Sequence, residues 1–316
     1  MKIVHVKINT MKKINTTLND TLLTAIAPAI WGSTYLVTTQ LLPAGHPLML
    51  AMLRALPVGL LLLALLRKLP RGIWWLRVFV LGALNFTVFW SLLFVSAYRL
   101  PGGVAATVGA IQPLLVLLFS WLLFSQMPRR LALVAGAAGI AGVALLVLTP
   151  SARLDAIGIA AGLLGAVSMA IGTALSKRWQ APVAPLTFTA WQLTTGGLLL
   201  LPLALWLEPP LPALSVQNIV GFIYLGLIGA GLTYWLWFRG LQKIQPAAAA
   251  SLGLLSPVTA TLLGWLILDQ QLSPLQILGA AIILISVWLG QRSAQATANA
   301  NQPAPAGSRR PSQAGH

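Results

Sequence analysis

The chain has 316 residues, of which 58% are hydrophobic and only 8% are charged. A soluble domain carries about 25% charged residues, so this composition excludes a soluble protein and indicates a polytopic membrane protein. The chain has no cysteine, and its three histidines, His5, His46 and His316, lie outside the apolar segments. We therefore expect no disulfide, no metal site, no cofactor and no enzymatic activity within the membrane.

Ten apolar segments are long enough to cross a bilayer, which takes about 20 helical residues. In chain order they are 21–42, 47–66, 74–98, 103–124, 131–149, 156–176, 185–207, 217–238, 246–268 and 274–291. The fold class predicted is an all-α integral membrane protein with ten transmembrane helices. Residues 1–20 are predicted to form a cytoplasmic N-terminal segment, with Met11 an alternative start to Met1. Residues 292–316 are predicted to form a disordered cytoplasmic tail.

The formal net charge is +16, and its distribution predicts the orientation of the chain. Cytoplasmic loops of membrane proteins collect Lys and Arg. With the N-terminus inside, 17 of the 20 basic residues fall on the inner side. Arg99 and Arg153 fall on the outer side, and Arg54 lies within a span. We therefore predict a bacterial inner membrane protein with both termini in the cytoplasm, and no nucleic-acid partner.

The second half of the sequence repeats the first. The matched pairs are Trp90 with Tyr234, Gln112 with Ser256 and Pro113 with Pro257 at an offset of 144 residues, and Arg54 with Gln192 at an offset of 138. The repeats are predicted to be 21–149 and 156–291. Because each repeat has five helices, an odd number, the second must enter the membrane from the opposite side. The prediction is thus two inverted five-helix repeats, a plan that places a transporter's substrate site between the copies.

Several of these residues resemble those of one family. The run Trp31-Gly32-Ser33-Thr34-Tyr35, Arg54, and the fourth and ninth segments with their prolines are similar to EamA-type transporters of the drug/metabolite transporter superfamily. The resemblance covers residues 20–291 and is nearest to the branch of blue-pigment exporters. It implies a ten-helix metabolite exporter whose central cavity is built by helices one, three, four, six, eight and nine.

The sequence departs from that family where many members carry a Gly-Glu pair. The corresponding positions after the fourth and ninth helices are Ser125-Gln126 and Asp269-Gln270. The first helix also lacks the glutamate that the small four-helix multidrug transporters of the same superfamily use. Proton coupling therefore has little support from the resemblance, and facilitated flux along a gradient deserves equal weight.

Arg54 is the strongest candidate site residue because it is charged and lies about 10 Å into the second helix, counted from Pro47 at the helical rise. A charge at such depth costs at least about 2.5 kcal/mol, so Arg54 should face the bundle or a wet cavity. Its stem could instead carry the charge to the outer interface. The residues predicted to bind substrate or line the cavity are Trp31, Tyr35, Arg54, Asn85, Trp90, Gln112, Gln192, Tyr234 and Ser256, and the predicted hinges are Pro113 and Pro257.

The other candidates also have simpler interpretations. Trp and Tyr often form an interfacial belt rather than line a cavity. Buried amides and hydroxyls such as Asn85 and Gln192 often bond one helix to another. Proline can simply bend a helix.

The function predicted is export of small amphipathic metabolites, namely amino acids, aromatic compounds or pigments, by alternating access. The partners are a small-molecule substrate and the lipid bilayer, and a homodimer is left open. One alternative is an uptake permease for an anionic solute such as a sugar phosphate, with Arg54 as counter-ion. A membrane-embedded enzyme or scaffold is disfavoured, because the spans offer no histidine, cysteine or acid.

Overall fold

In a computed structural model, which describes residues 2–100, 102–125, 127–147 and 155–300, the chain folds into helices and connecting turns. Ten helical spans are long and apolar enough to cross a membrane. Spans 1 to 10 are, in order, Thr17–Leu41, Pro47–Leu66, Trp74–Ser96, Ala106–Phe124, Arg130–Val147, Ala156–Trp179, Pro185–Leu207, Val216–Lys243, Pro246–Ile267 and Pro274–Thr297. The predicted all-α membrane fold with ten spans is confirmed.

The helices are stable in a bilayer because their backbone hydrogen bonds are made within each segment. The apolar residues divide between an interior and an outer surface. Trp237, Phe86 and Phe238 are almost fully buried, whereas Leu65 and Trp206 are largely exposed. An exposed surface so rich in apolar side chains is suited to lipid.

Close approaches of glycine hold particular pairs of spans together. Spans 2 and 7 pack along their length, as do spans 5 and 10. At the first contact, a Cβ on Gly59 would lie 2.5 Å from the backbone nitrogen of Thr194. At the second, a Cβ on Gly279 would lie 2.6 Å from the carbonyl oxygen of Gly142. Only glycine allows the backbones to come this near.

The two halves of the chain share unusual local features at or near the offset of 144 residues. Spans 3 and 8 each contain a π-helical turn, at Ala83–Val88 and at Tyr224–Leu232. Spans 4 and 9 each break into two helices, at residues 110–111 and 253–254. Ser125 and Asp269, which follow these spans, have positive φ values of 55° and 52°. Equivalent sequence positions thus adopt equivalent, uncommon conformations, as two copies of one fold should.

The ends of the chain differ from the prediction. The first helix begins at Lys2, within the predicted N-terminal segment, and the last helix runs to Ala300. Residues 292–300 are therefore helical rather than disordered, because they contain no Pro or Gly and are rich in helix-forming Ala. Ser293 is buried, and the guanidinium of Arg129 donates to the carbonyl of Ala296. The rest of the predicted tail, residues 301–316, lies outside the described residues.

Polar contacts between distant segments tie the ends of the spans together. At one end, Asp20 accepts from Arg239 at 2.7 Å and lies 3.4 Å from the ammonium of Lys243, which joins span 1 to span 8. At the other end, the carboxylate of Glu208 accepts the backbone N–H groups of Leu48 and Met49 at 2.6 and 2.7 Å. This carboxylate caps span 2, where a helix N-terminus favours negative charge.

Candidate functional site

Arg54 points from span 2 toward spans 3 and 8. Its guanidinium donates to the carbonyl oxygen of Gly229 at 2.9 Å and lies 4.8 Å from the ring centroid of Trp90. The side chain is partly exposed, but its Nε atom is buried with no hydrogen-bond partner in the described part of the chain. The guanidinium is thus held by a neutral carbonyl and an aromatic face.

The π-helical turn of span 8 positions the carbonyl that holds Arg54. A π turn contains one residue more than an α turn, which disturbs the usual pairing of carbonyls along the helix. The Gly229 carbonyl accepts from Arg54 and also from the hydroxyl of Thr233 at 2.8 Å. That hydroxyl in turn accepts the indole N–H of Trp31 at 2.9 Å. Spans 1, 2 and 8 are therefore linked by one hydrogen-bond chain.

Tyr234 is the centre of an aromatic cluster formed with the four rings that contact it, those of Trp31, Phe86, Trp90 and Phe238. The centroid of Tyr234 lies 5.1 Å from Trp31, 4.6 Å from Phe86, 6.3 Å from Trp90 and 5.9 Å from Phe238. All the rings are buried except that of Trp31, which is partly exposed. Arg54 and Trp31 therefore present the accessible surface of this site, and the buried rings support them.

Asn85 and Gln192 bond to each other rather than to Arg54. The amide of Asn85 donates to the Oε1 atom of Gln192 at 2.7 Å, and both side chains are almost fully buried. Asn85 lies in the π-helical turn of span 3. This pair fits the simpler interpretation of a helix-to-helix hydrogen bond, and a substrate contact by either residue stays a prediction.

The two contacts just described are equivalent by the repeat. Asn85 and Gly229 are 144 residues apart, and Arg54 and Gln192 are 138 apart. In each contact, a residue of span 2 or 7 bonds to the π-helical turn of the opposite half. One half-site has a cation and a backbone carbonyl, and the other is closed by two neutral amides. The two halves therefore differ in charge at this contact.

The remaining candidates lie away from this centre. Gln112 and Ser256 are partly exposed, at the matched breaks of spans 4 and 9. Pro113 is the second residue of the helix that begins at Gln112, and Pro257 is the third residue of the helix that begins at Leu255. Both lie in a first helical turn, where backbone N–H groups have no partner within the helix. Their role as hinges stays a prediction. Tyr35 lies in the helix of span 1, but its side chain is outside the described residues.

A groove separate from the aromatic cluster lies among spans 4, 5, 9 and 10. It encloses about 750 Å³, including space open to solvent. Pro113 is the one candidate residue that lines it, together with polar residues such as Arg129, Gln245 and Ser286. Arg54 does not contribute to it, so the cation and the groove are distinct features.

The four acidic residues of the chain all have positions away from Arg54's guanidinium. Asp20 pairs with Arg239, and Glu208 caps span 2. Asp155 caps span 6 and pairs with a basic side chain at 3.6 Å. Asp269 is exposed in the loop after span 9. In the described residues no carboxylate therefore neutralises Arg54, and the site has a net positive charge.

Residue-type reasoning missed several of these contacts. Gly229 was not a candidate because it acts through its backbone carbonyl, which gives no signal in composition. Thr233 directly precedes Tyr234, and Phe86 directly follows Asn85. Thr and Phe are common in apolar helices, so neither residue type indicates a site. Ser33 and Tyr224, whose hydroxyls lie 2.8 Å apart, join spans 1 and 8. The sequence could have indicated Ser33, since it lies within the Trp31–Tyr35 motif, but not Tyr224.

Comparison with known proteins places these observations in a family. Protein PecM of Dickeya dadantii (strain 3937) is 46% identical over 267 residues, which cover 84% of this chain and 90% of PecM. The uncharacterized inner membrane transporter YedA of Escherichia coli (strain K12) is 33% identical, with coverage of 82% and 86%. A solved crystal structure, 22% identical, has the same fold, with a TM-score of 0.74 over 88% of this chain and 99% of that one.

The relatives and the ten spans make this chain a multi-pass inner membrane transporter rather than an enzyme. Both halves of the sequence, residues 21–148 and 156–290, match the same family description. The chain belongs to the EamA-like transporter family.

Proposed function

We propose that this transporter exports small amphipathic metabolites, such as amino acids, aromatic compounds or pigments, and that Arg54 and Trp31 contact them. The observation that carries the proposal is the guanidinium of Arg54 held over Trp90 at the edge of a five-ring aromatic cluster. Rings bind the apolar part of such a molecule, and the guanidinium binds its polar group.

The proposed mechanism is alternating access by two inverted repeats. Its support is the odd number of spans in each half, together with matched π-helical turns and matched breaks in spans 4 and 9. Two similar halves in opposite orientations can exchange conformations, which gives inward-open and outward-open states of similar energy. Pro113 and Pro257 lie where spans 4 and 9 would bend.

Flux measurements test the export function. In inside-out vesicles, the protein should speed the entry or exchange of a labelled aromatic metabolite down its gradient, relative to vesicles without the protein. The same assay with and without a pH gradient tests coupling. With no acid in the site, we expect flux to follow the solute gradient; strict dependence on the pH gradient would refute the uncoupled mechanism.

The orientation can be tested directly, because the natural chain has no cysteine. Ser125 and Asp269 are equivalent by the repeat, and both are exposed. In the inverted arrangement a cysteine in Ser125→Cys reacts with an impermeant maleimide only from the cytoplasm. A cysteine in Asp269→Cys reacts only from outside. Labelling of both from one side would contradict inversion.

The second candidate is an uptake permease for an anionic solute such as a sugar phosphate. The positive charge of Arg54, which no carboxylate of the described chain neutralises, favours it. Under this alternative Arg54→Ala abolishes transport of anions and leaves neutral solutes unaffected. The direction of flux in right-side-out and inside-out vesicles separates uptake from export.

A further inference from the structure

Arg54 retains unused capacity to bind an anion. A guanidinium has five N–H donors. One nitrogen donates to Gly229, and the buried Nε–H has no partner in the part of the chain that the structure describes. A carboxylate accepts two parallel hydrogen bonds from such a fork. Partial burial of a cation without an anionic partner is costly, so a bound anion would offset that cost.

The site can neutralise one negative charge of a ligand and no more. The half-site equivalent to Arg54 and Gly229 contains Gln192 and Asn85, which are neutral and bond to each other. Among the described residues, Arg54 is the basic residue placed deep within a span, whereas Lys243 and Arg239 lie at the end of span 8 beside Asp20. A dianion such as a phosphate monoester would keep a charge without a partner here.

The site offers no carboxylate to an ammonium group. The Gly229 carbonyl already accepts from Arg54 and Thr233. The four carboxylates are engaged elsewhere or lie in a loop, as described above. The guanidinium of Arg54 lies over the ring of Trp90 and repels a second positive charge held beside it. A zwitterion would therefore lose the hydration of its ammonium group without gaining an ion pair.

We propose that the Arg54 site selects aromatic compounds that carry one carboxylate and no ammonium group. The carboxylate binds the guanidinium of Arg54, and the ring packs on the exposed part of Trp31. This inference rests on the proposed transport of aromatic metabolites and specifies the charge of the substrate. It predicts that the transporter discriminates among solutes of the same size and ring by charge alone.

The test is a series of four ligands that share a phenyl ring and differ in charge. These are 3-phenylpropionate, 3-phenylpropanamide, phenylalanine and phenethylamine, and binding to the purified full-length protein is measured by tryptophan fluorescence. The tightest binding is expected for 3-phenylpropionate, by about tenfold over phenylalanine and over the neutral amide. The carboxylate makes charge-assisted hydrogen bonds with Arg54, whereas the amide makes weaker neutral ones and phenylalanine must also desolvate its ammonium group. Phenethylamine should bind most weakly.

Variants identify the residue responsible. In Arg54→Gln the preference for 3-phenylpropionate should fall to within about threefold, which corresponds to less than 1 kcal/mol. Lys243→Gln removes one positive charge at the end of span 8 and is the matched control, in which the preference is unchanged. The comparison of 3-phenylpropionate with its amide on the unaltered protein reports on charge even if Arg54→Gln does not fold.

The outcomes separate the inference from the proposed function. If phenylalanine binds as tightly as 3-phenylpropionate, or if Arg54→Gln keeps the full preference, charge selection by Arg54 is overturned and transport of aromatic metabolites stands. If none of the four compounds binds or is transported, both are overturned. The pattern of tight anion binding, lost in Arg54→Gln and kept in Lys243→Gln, supports both.

Discussion

Thr233 should position Trp31 and, through Gly229, the Arg54 guanidinium, and Thr233→Val tests this with little change of shape. The variant removes a hydroxyl that accepts from Trp31 at 2.9 Å and donates to Gly229 at 2.8 Å. Gly229 keeps its bond from Arg54, so the main loss is an acceptor for the indole N–H. A buried donor left unpaired costs about 1–3 kcal/mol in water-soluble proteins, but hydrogen bonds in membrane bundles average about 0.6 and reach about 1.7 kcal/mol.

We therefore expect Thr233→Val to lower the free energy of unfolding by about 1 kcal/mol, and ligand affinity by up to about fivefold. Thr189→Val is the matched control, because Thr189 is equally buried but, within the described chain, its hydroxyl bonds to the carbonyl four residues before it, at 2.9 Å, and to no other span. Unfolding in lipid or mixed micelles gives the first quantity and fluorescence titration the second.

A double-mutant cycle with Trp31→Phe isolates the bond itself. The coupling energy between positions 31 and 233 should be about 0.6–1.7 kcal/mol. A coupling near zero, with Thr233→Val no more destabilising than Thr189→Val, would show that the hydrogen-bond chain does not position Trp31.

Three further changes test the packing and the ties between spans. Gly59→Ala should destabilise by about 1–3 kcal/mol because its Cβ would meet the backbone of Thr194. Gly109→Ala, whose Cβ would meet no atom of another described segment within 4 Å, should be neutral or stabilising; thermal unfolding of the pair decides. Asp20→Asn should lower the free energy of unfolding by about 1 kcal/mol, chiefly through Arg239, since Lys243 is 47% exposed; an effect unchanged by high salt would count against an ion pair. Glu208→Gln should cost about 0.5–2 kcal/mol through the weakened cap of span 2, and equal unfolding energies would exclude that role.

The ten spans could be predicted from the sequence because a bilayer requires long apolar helices, and hydropathy reports that requirement directly. Their positions agree within a few residues, with the largest differences at the ends of spans 8 and 10. Span 8 continues to Lys243 rather than ending near Phe238. A basic residue at a membrane end is tolerated because its charge reaches the aqueous interface, so charge was a poor marker of where that helix stops.

The site could be predicted only in part. Trp31, Arg54, Trp90 and Tyr234 are brought together. The duplication marked the last three, and Trp31 belongs to the run Trp31–Tyr35 in the first span. The partner of Arg54 could not be predicted from residue types, since it is a backbone carbonyl in a π-helical turn. Whether a helix includes such a turn depends on a single extra residue, which hydropathy does not detect.

The matched π-helical turns also record the order of events in the history of the chain. A π-helical turn holds one residue more than an α-helical turn. Both halves of the chain contain such a turn at equivalent positions. Two independent insertions at one site are less economical than one insertion inherited twice. The simplest account is that the extra residue was present in one ancestral half before it duplicated, and that the difference between Asn85 and Gly229 arose afterwards. On that account the shared backbone of the two half-sites is older than the residues in which they differ.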